Sequence, residues 1–331
     1  MRQETIKTVA VIVGLDLIGD ALIKLPFVRA LRVAYPDARI TWLTAQGKTA
    51  YAGPLRELVA PYLDHILEQP TFLTDESGKT APPAFDLLID TRGRWRYALQ
   101  ARRIPHKIFI APAARFLFSS RRPPAVWHKL EHIQDRLLQL VTLASGRKPV
   151  VHGGIDIPRE YRTKAELLLP TGQAYIGFVP GAGNTIKIWP LPRFIDLATQ
   201  QAAAGRRPVF LLGPQETGWR AELERAVPKA LFPLQDALWG GQLSLEATMA
   251  VGERLALTVT NDNGTSHMLA AVDCSLVSLF GPTSARKLAP RVSRGRIVTA
   301  QQFGQDTMAA IPVDAVAAII DNLLQEISLA A

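Results

Sequence analysis

The chain of 331 residues contains a single cysteine, Cys274, so no intramolecular disulfide can form. No run of about 18 uncharged apolar residues occurs, which argues against a membrane-spanning helix. The opening residues, MRQETIKTVAVIVG, lack the long apolar core and the cleavage site of a signal peptide, and their short apolar run reads as a fold element. These absences favour the cytoplasm. Both familiar phosphate-binding fingerprints are incomplete. Gly14 and Gly19 have the spacing of a P-loop, but Asp20 stands where lysine is needed, and a carboxylate there would repel a triphosphate. The same glycines do not make GxGxxG. Acidic residues are missing altogether from residues 91–130, a stretch with ten Lys and Arg.

What is present is an ordinary globular composition, 48% hydrophobic and 20% charged, at a length that predicts two domains. Apolar, β-branched runs at 8–13, 39–44, 85–90 and 108–110 read as strands, and helical periodicity at 21–35, 51–67 and 129–144 separates or follows them. The rhythm restarts after 172, with strands at 174–179, 207–212, 255–260 and 275–280 and helices at 191–204, 215–226, 244–254 and 313–327. Alternating strands and helices imply parallel sheets, here twice. Loop signals at 146–172 place the boundary, giving domains at 1–155 and 172–310 and a final helix at 311–331.

The most informative stretch is LALTVTNDNGTSHMLAAVDCSLVSLFGPT, residues 255–283. It reads as strand, polar turn, short helix and strand, with the turn at the carboxyl end of a strand, where open α/β sheets bind ligands. A helix N-terminus there offers free N–H groups and suits phosphate. Gly264 removes a side chain where a ligand would meet the backbone. Asp262 is placed either to receive a ribose hydroxyl or, with Thr265, merely to cap the helix. Two further turns end strands of the same half, at 180–185 and 213–216. Small residues and hydroxyls at 181–185 suit a diphosphate, with Lys187 as its cation or as an exposed helix-entry lysine. Glu216 could accept from a ribose. In the first half, Asp20 is either a helix cap or a general base for a hydroxyl.

Charge is divided unequally. Residues 1–164 carry a net +10 and the remainder −1. The basic stretch interleaves Arg92, Arg94, Arg121 and Arg122 with Trp95, Tyr97, Phe116 and Trp127. It would attract nucleic acid, an anionic membrane or a phosphorylated acceptor, or it is a solvated basic face. His128 and His132 complete an HxxEH pattern, a zincin motif in one reading and two histidines on a surface helix in the other. Cys274 reads as a buried core thiol.

Several blocks resemble the ADP-heptose:lipopolysaccharide heptosyltransferases, glycosyltransferase family 9. GLDLIGDALIKLPFVRALRVAYPDARITWLT resembles the amino-terminal signature, PGAGNTIKIWPLPRFIDLA a central phosphate-binding segment, and TNDNGTSHMLAAVDCSLVSLFGPT the most recognisable stretch. FDLLIDTRGRWR and HKLEHIQDRLLQLVTLASG fit lesser blocks, so the resemblance spans nearly the whole chain. It implies an α/β fold of the GT-B type, two Rossmann-like domains with parallel sheets facing across a cleft. It implies inverting, metal-independent transfer of a heptose from ADP-heptose, used as a substrate with no cofactor. By the resemblance Asp20 is the catalytic base and Lys187 stabilises the departing diphosphate. Gly183, Thr185, Glu216, Asp262, Gly264, Thr265 and His267 fall to the donor, with Asn263 where the family usually has Thr or Ser. Gly19, Arg92, Arg94, Arg121 and Arg122 fall to an anionic lipopolysaccharide core acceptor, reached from the inner face of the cytoplasmic membrane as a peripheral protein. The alternatives are a relative using another nucleotide sugar or acceptor, a non-catalytic nucleotide-sugar binder and, from a different class, a basic nucleic-acid-binding protein. The last leaves Asp20 and the 181–187 turn without a role, so no nucleic acid is expected.

Overall fold

The computed structural model describes residues 5–74, 81–124, 130–149, 154–241 and 243–329. The chain divides into two compact units at 152/153. Unit 1 runs β1 (Thr8–Val13), α1 (Ile18–Ala34), β2 (Arg39–Thr44), α2 (Arg56–Val59), β3 (His65–Glu68), α3 (Thr71–Thr74), β4 (Phe85–Asp90), α4 (Trp95–Ala101), β5 (His106–Ile110) and α5 (Ile133–Ser145). Unit 2 runs α6 (Arg159–Leu168), β6 (Tyr175–Val179), α7 (Leu191–Ala203), β7 (Arg207–Phe210), α8 (Arg220–Ala226), α9 (Leu245–Glu253), β8 (Leu257–Asn261), α10 (Gly264–Ala271), β9 (Leu276–Phe280), α11 (Ala285–Leu288), β10 (Gly295–Thr299) and α12 (Val313–Leu329).

Each unit is built on one five-stranded sheet, ordered β3-β2-β1-β4-β5 in unit 1 and β10-β9-β8-β6-β7 in unit 2. Every pairing is parallel. Such sheets are covered on both faces, so their central strands are continuous apolar runs. TVAVIV of β1 and YIGFV of β6 are of this kind, buried almost throughout. In both sheets the order reverses beside the first strand of the unit, between β1 and β4 and between β6 and β8. A crevice opens at the carboxyl ends of the strands at such a point. The helix α12 belongs to unit 2, where Val316, Ile320 and Leu323 join the core around Ile176, Phe178, Trp189 and Phe194.

Several elements differ from the sequence reading. Residues 51–67, expected as one helix, form a 3-10 turn (Ala50–Ala52), the four-residue α2 and the strand β3. Pro54 and Pro61 break the segment. The strand β3 lies at the sheet edge and is mostly exposed, so it lacks the apolar signature of a strand. β10 is likewise an edge strand, exposed over its first three residues and absent from the expected set. The last helix of unit 1 begins at Ile133 rather than 129, because the ring of His132 accepts from the backbone N–H of Gln134 and caps it. The 69–83 loop carries the short α3. Ser244 caps α9 as expected, its hydroxyl accepting from Ala247 N at 3.0 Å.

Candidate functional site

Side-chain hydrogen bonds join the turns that follow β6 and β8. Asn261, the fully buried last residue of β8, donates from Nδ2 to the Pro180 carbonyl at 2.8 Å and accepts from Trp189 N at 3.1 Å. Asn263 donates to the Gly181 carbonyl at 2.6 Å while its Oδ1 accepts from Ser266 N at 2.9 Å. One amide therefore caps α10 and ties the two turns. This corrects the capping alternative for Asp262 and Thr265: Asn263 is the cap, because a cap must precede the first helical residue, here Gly264.

Asp262 is thereby free for another task. Its Oδ2 accepts from Lys187 Nζ at 2.8 Å and from Thr283 Oγ1 at 2.7 Å. The lysine side chain is 26% exposed and the carboxylate 8%, so Lys187 is not an exposed helix-entry lysine. It leaves a 3-10 turn (Thr185–Lys187) capped by Asn184. Two residues on, Trp189 is fully buried and donates to the Ile311 carbonyl at 3.0 Å. A deep indole anchor so close to the lysine limits how far its backbone can move.

The third turn joins the other two through Glu216. Its carboxylate lies over two glycines: a Cβ at Gly213 would come to 2.7 Å from Oε2, and one at Gly181 would overlap the same carboxylate. These glycines make room for an acid. The structure thus brings Lys187, Glu216 and Asp262 together with the N-terminal turn of α10, which holds Gly264, Thr265 and His267. Gly183 and Thr185 are exposed on the first of the three turns. In chemical terms this is a small cradle with one cation, two carboxylates and outward N–H groups at a helix start, suited to a diphosphate flanked by hydroxyl-bearing rings.

In unit 1, Asp20 is exposed and stands third in α1; Leu17 is the N-cap and makes no side-chain cap bond. The capping alternative for Asp20 is therefore corrected as well, since the helix begins before it and already includes Gly19. A carboxylate in the first turn still complements the helix dipole. The carboxylate that organises the β1–α1 turn is Asp16, which sequence reasoning missed. It is fully buried and accepts from Lys24 Nζ at 2.5 Å, Trp42 Nε1 at 3.0 Å and Thr49 Oγ1 at 2.9 Å. Its partners lie 8 to 33 positions away, so no local pattern announces it.

The four arginines assigned to an acceptor have different surroundings. Arg92 is clamped on Asp90, with Nε–Oδ1 at 2.8 Å and Nη2–Oδ2 at 3.0 Å, and lies over the Tyr97 ring. Burial raises the Asp90 pKa, and the Arg92 guanidinium opposes that rise. Arg121 reaches the Ala144 carbonyl at the end of α5, and Arg122 the Leu117 carbonyl at 2.8 Å. Arg94 is exposed at the start of α4. A cavity of about 810 Å³ in the same unit is bounded by Thr91 and Gly93 of the loop after β4, with Lys24, Arg115 and Arg136 among its polar lining and Phe116, Leu137 and Leu140 among its apolar lining. Arg136 was not singled out in the sequence, because it sits on an amphipathic helix where a lone arginine looks like solvated surface. One wall is unusual: Ala114, Arg115 and Phe116 all have left-handed backbones, with φ of 48°, 54° and 63°. Non-glycine residues held this way store strain, which concentrates at functional sites. Lys24 lies one turn beyond Asp20 on α1, so the two share a helix face.

Of the HxxEH pattern, His132 is the buried cap of α5, and His128 lies outside the described residues. Cys274 is buried beside Thr258, and burial pushes its thiol up to about 12, so it stays protonated near neutrality.

Comparison with known proteins follows the same outline. The chain is 31% identical over 139 residues to lipopolysaccharide heptosyltransferase 2 of Salmonella typhimurium, covering 40% of this chain and 38% of that one. Matches to the heptosyltransferase 2 relatives span 36–38% of their length. Lipopolysaccharide heptosyltransferase 1 of Escherichia coli K12 is 24% identical over 294 residues, covering 82% and 87% of the two chains. The solved structure of an E. coli heptosyltransferase with ADP superposes with a TM-score of 0.67 at 20% identity, over 96% of this chain and 99% of that one. At that identity the likeness establishes the fold, two parallel-sheet α/β domains of the kind the resemblance implied. The pattern of glycosyltransferase family 9 (heptosyltransferase) matches residues 81–309, more than half of the sequence, with β4 and β5 of the first sheet and every strand of the second, and the chain belongs to that family.

Proposed function

We propose that this protein transfers a heptose from ADP-heptose to an anionic inner-core acceptor of lipopolysaccharide, with inversion at the anomeric carbon. The observation that carries the reading is the Lys187–Asp262–Thr283 cluster at the turn that leads into α10, with the Glu216 carboxylate lying over Gly181 of the neighbouring turn. Lys187 and the free N–H groups of α10 stabilise the charge that develops on the ADP leaving group, fixed in place before the reaction begins. Glu216 accepts hydrogen bonds from the nucleoside ribose, and Gly183 and Thr185 lie against the phosphates. Asp20 takes the proton of the acceptor hydroxyl as its oxygen attacks. One C–O bond forms, the bond from the anomeric carbon to the phosphate oxygen breaks, and the proton ends on the Asp20 carboxylate.

The cationic cavity of unit 1 suits the acceptor. Arg115 and Arg136 meet anionic groups and Phe116 and Leu137 meet apolar or ring surface. The basic half of the chain brings the protein to the inner face of the cytoplasmic membrane, where such an acceptor is embedded. Among the described residues no helix is long and apolar enough to cross a membrane.

The test is to incubate the purified protein with ADP-heptose and a panel of lipid A–core acceptors and to follow products by mass spectrometry. A heptose added to one acceptor supports the reading. No product with any acceptor, together with no ADP-heptose binding by calorimetry, would overturn it.

A further inference from the structure

The outer face of α4 takes no part in the donor cradle. The helix buries Ala98 and Ala101 and turns Trp95 and Leu99 outward, 53% and 43% exposed. These two lie one turn apart on one face. Exposed Arg102 and Arg103 continue the face a turn later, and the Arg96 guanidinium sits 5.5 Å from the centre of the Trp95 ring. Alanines suffice for the packing of this helix, so the large apolar side chains are available to something outside the unit. Residues 91–130 contain no acid, and the nearest preceding ones, Asp86 and Asp90, are engaged by Lys107 and Arg92.

We propose that this face is where the protein lies on an anionic phospholipid surface. Trp95 and Leu99 enter the headgroup region, and Arg96, Arg102 and Arg103 meet lipid phosphates. Tryptophan favours the membrane interface because its ring is apolar with one polar edge, and clustered arginines are drawn to the negative leaflet. Charge complementarity alone would equally suit nucleic acid. The exposed leucine one turn from the tryptophan favours lipid, since it gains nothing from phosphate. The position of the face rests on the function proposed above in one respect only. The loop after β4 runs from the cavity, lined by Thr91 and Gly93, straight into α4, and α4 packs on the 113–116 segment of the cavity wall. A lipid-embedded acceptor would therefore be met beside its binding cavity.

The test uses the full chain, sedimented with vesicles of phosphatidylglycerol and phosphatidylethanolamine, and in parallel assayed with a water-soluble, acyl-free acceptor. The wild type is expected to sediment with these vesicles and not with phosphatidylcholine alone. The double variant Trp95→Ser/Leu99→Ser is expected to lower partitioning on the order of tenfold or more, since both side chains would otherwise bury apolar area in the interface. Arg96→Gln/Arg102→Gln/Arg103→Gln is expected to lower it and to flatten its salt dependence. Both variants should keep the wild-type melting temperature and transfer to the soluble acceptor. Equal partitioning of the wild type and the serine variant would overturn the proposal, as would no sedimentation of the wild type. Release from vesicles by single-stranded RNA, with RNA affinity unchanged in the serine variant, would overturn it in favour of nucleic acid. If no acceptor is glycosylated but vesicle binding behaves as described, the proposed function fails and the surface stands.

Discussion

The sheet of unit 2 presents a carboxyl edge sewn together by side chains, whereas the corresponding edge of unit 1 opens into a broad cationic cavity with a strained wall. In unit 2 two asparagines, a lysine, an aspartate and a threonine bond across three turns, and a glutamate fills the space above two glycines. In unit 1 the buried bonds of Asp16 and Asp90 brace the turns from behind, and the cavity is lined by cations and apolar side chains. The same fold thus builds two kinds of recognition. A rigid, closely bonded edge suits one invariant ligand, such as a nucleoside diphosphate. A roomy basic pocket suits a large anion whose position is set by charge and shape.

That contrast can be broken most directly at Asp20. Asp20→Asn should lower turnover by about 10²-fold or more while ADP-heptose affinity by calorimetry stays near wild type, because a general base acts on the acceptor only. Lost donor affinity in this variant would mean that the two edges do not divide the labour. Lys187→Met should also reduce turnover, by roughly 10²-fold, the scale seen when one preorganised stabilising group is removed. Here ADP affinity should fall too, since Asp262 loses its cation. Arg136→Ala sharpens the other side. Acceptor KM should rise about tenfold at low salt, the gap should narrow as salt is added, and donor KM should not move. A smaller effect is expected for Asn263→Ala, which removes a helix cap and a tie to Gly181. Thermal unfolding should report a loss of about 1 kcal/mol, with a weaker donor KM and an unchanged acceptor KM.

The smallest prediction concerns the foundation of unit 1. Lys107 and the backbone N–H groups of Lys7 and Thr8 hold the Asp86 carboxyl at about 2, below its ordinary 3.8. A depressed carboxyl stabilises the fold above its unfolded value and loses that contribution as pH falls through the folded one. Asp86→Asn should therefore lower the melting temperature at pH 7, and the difference from wild type should shrink between pH 4 and 2. A difference that persists at pH 2 would show that the carboxylate is not its source.

Central strands were legible because burial on both faces leaves an unbroken apolar run, as in β1, β6 and β8. Edge strands β3 and β10 were not, because half-exposed strands carry polar residues without a fixed alternation. At the site, Asp262, Gly264 and Lys187 could be singled out since each stands in a turn next to a strand end. The link between Lys187 and Asp262 spans 75 positions and Glu216 meets Gly181 across 35, distances over which a chain pattern carries no signal. Arg136 was hidden for a related reason, because an arginine on an amphipathic helix looks the same whether it faces solvent or a cavity.

From the residues themselves followed the two α/β units, the strand ends that carry the site and the basic character of the first half. All of these depend on local periodicity, turn chemistry and summed charge. Folding decided which side chain caps and which one binds. Asn263 took the cap and left Asp262 to hold Lys187, and Asp16 rather than Asp20 became the buried brace. A carboxylate or amide has the same chemistry at every position, and only the neighbours supplied by distant parts of the chain determine whether it is satisfied within the protein or left for a ligand.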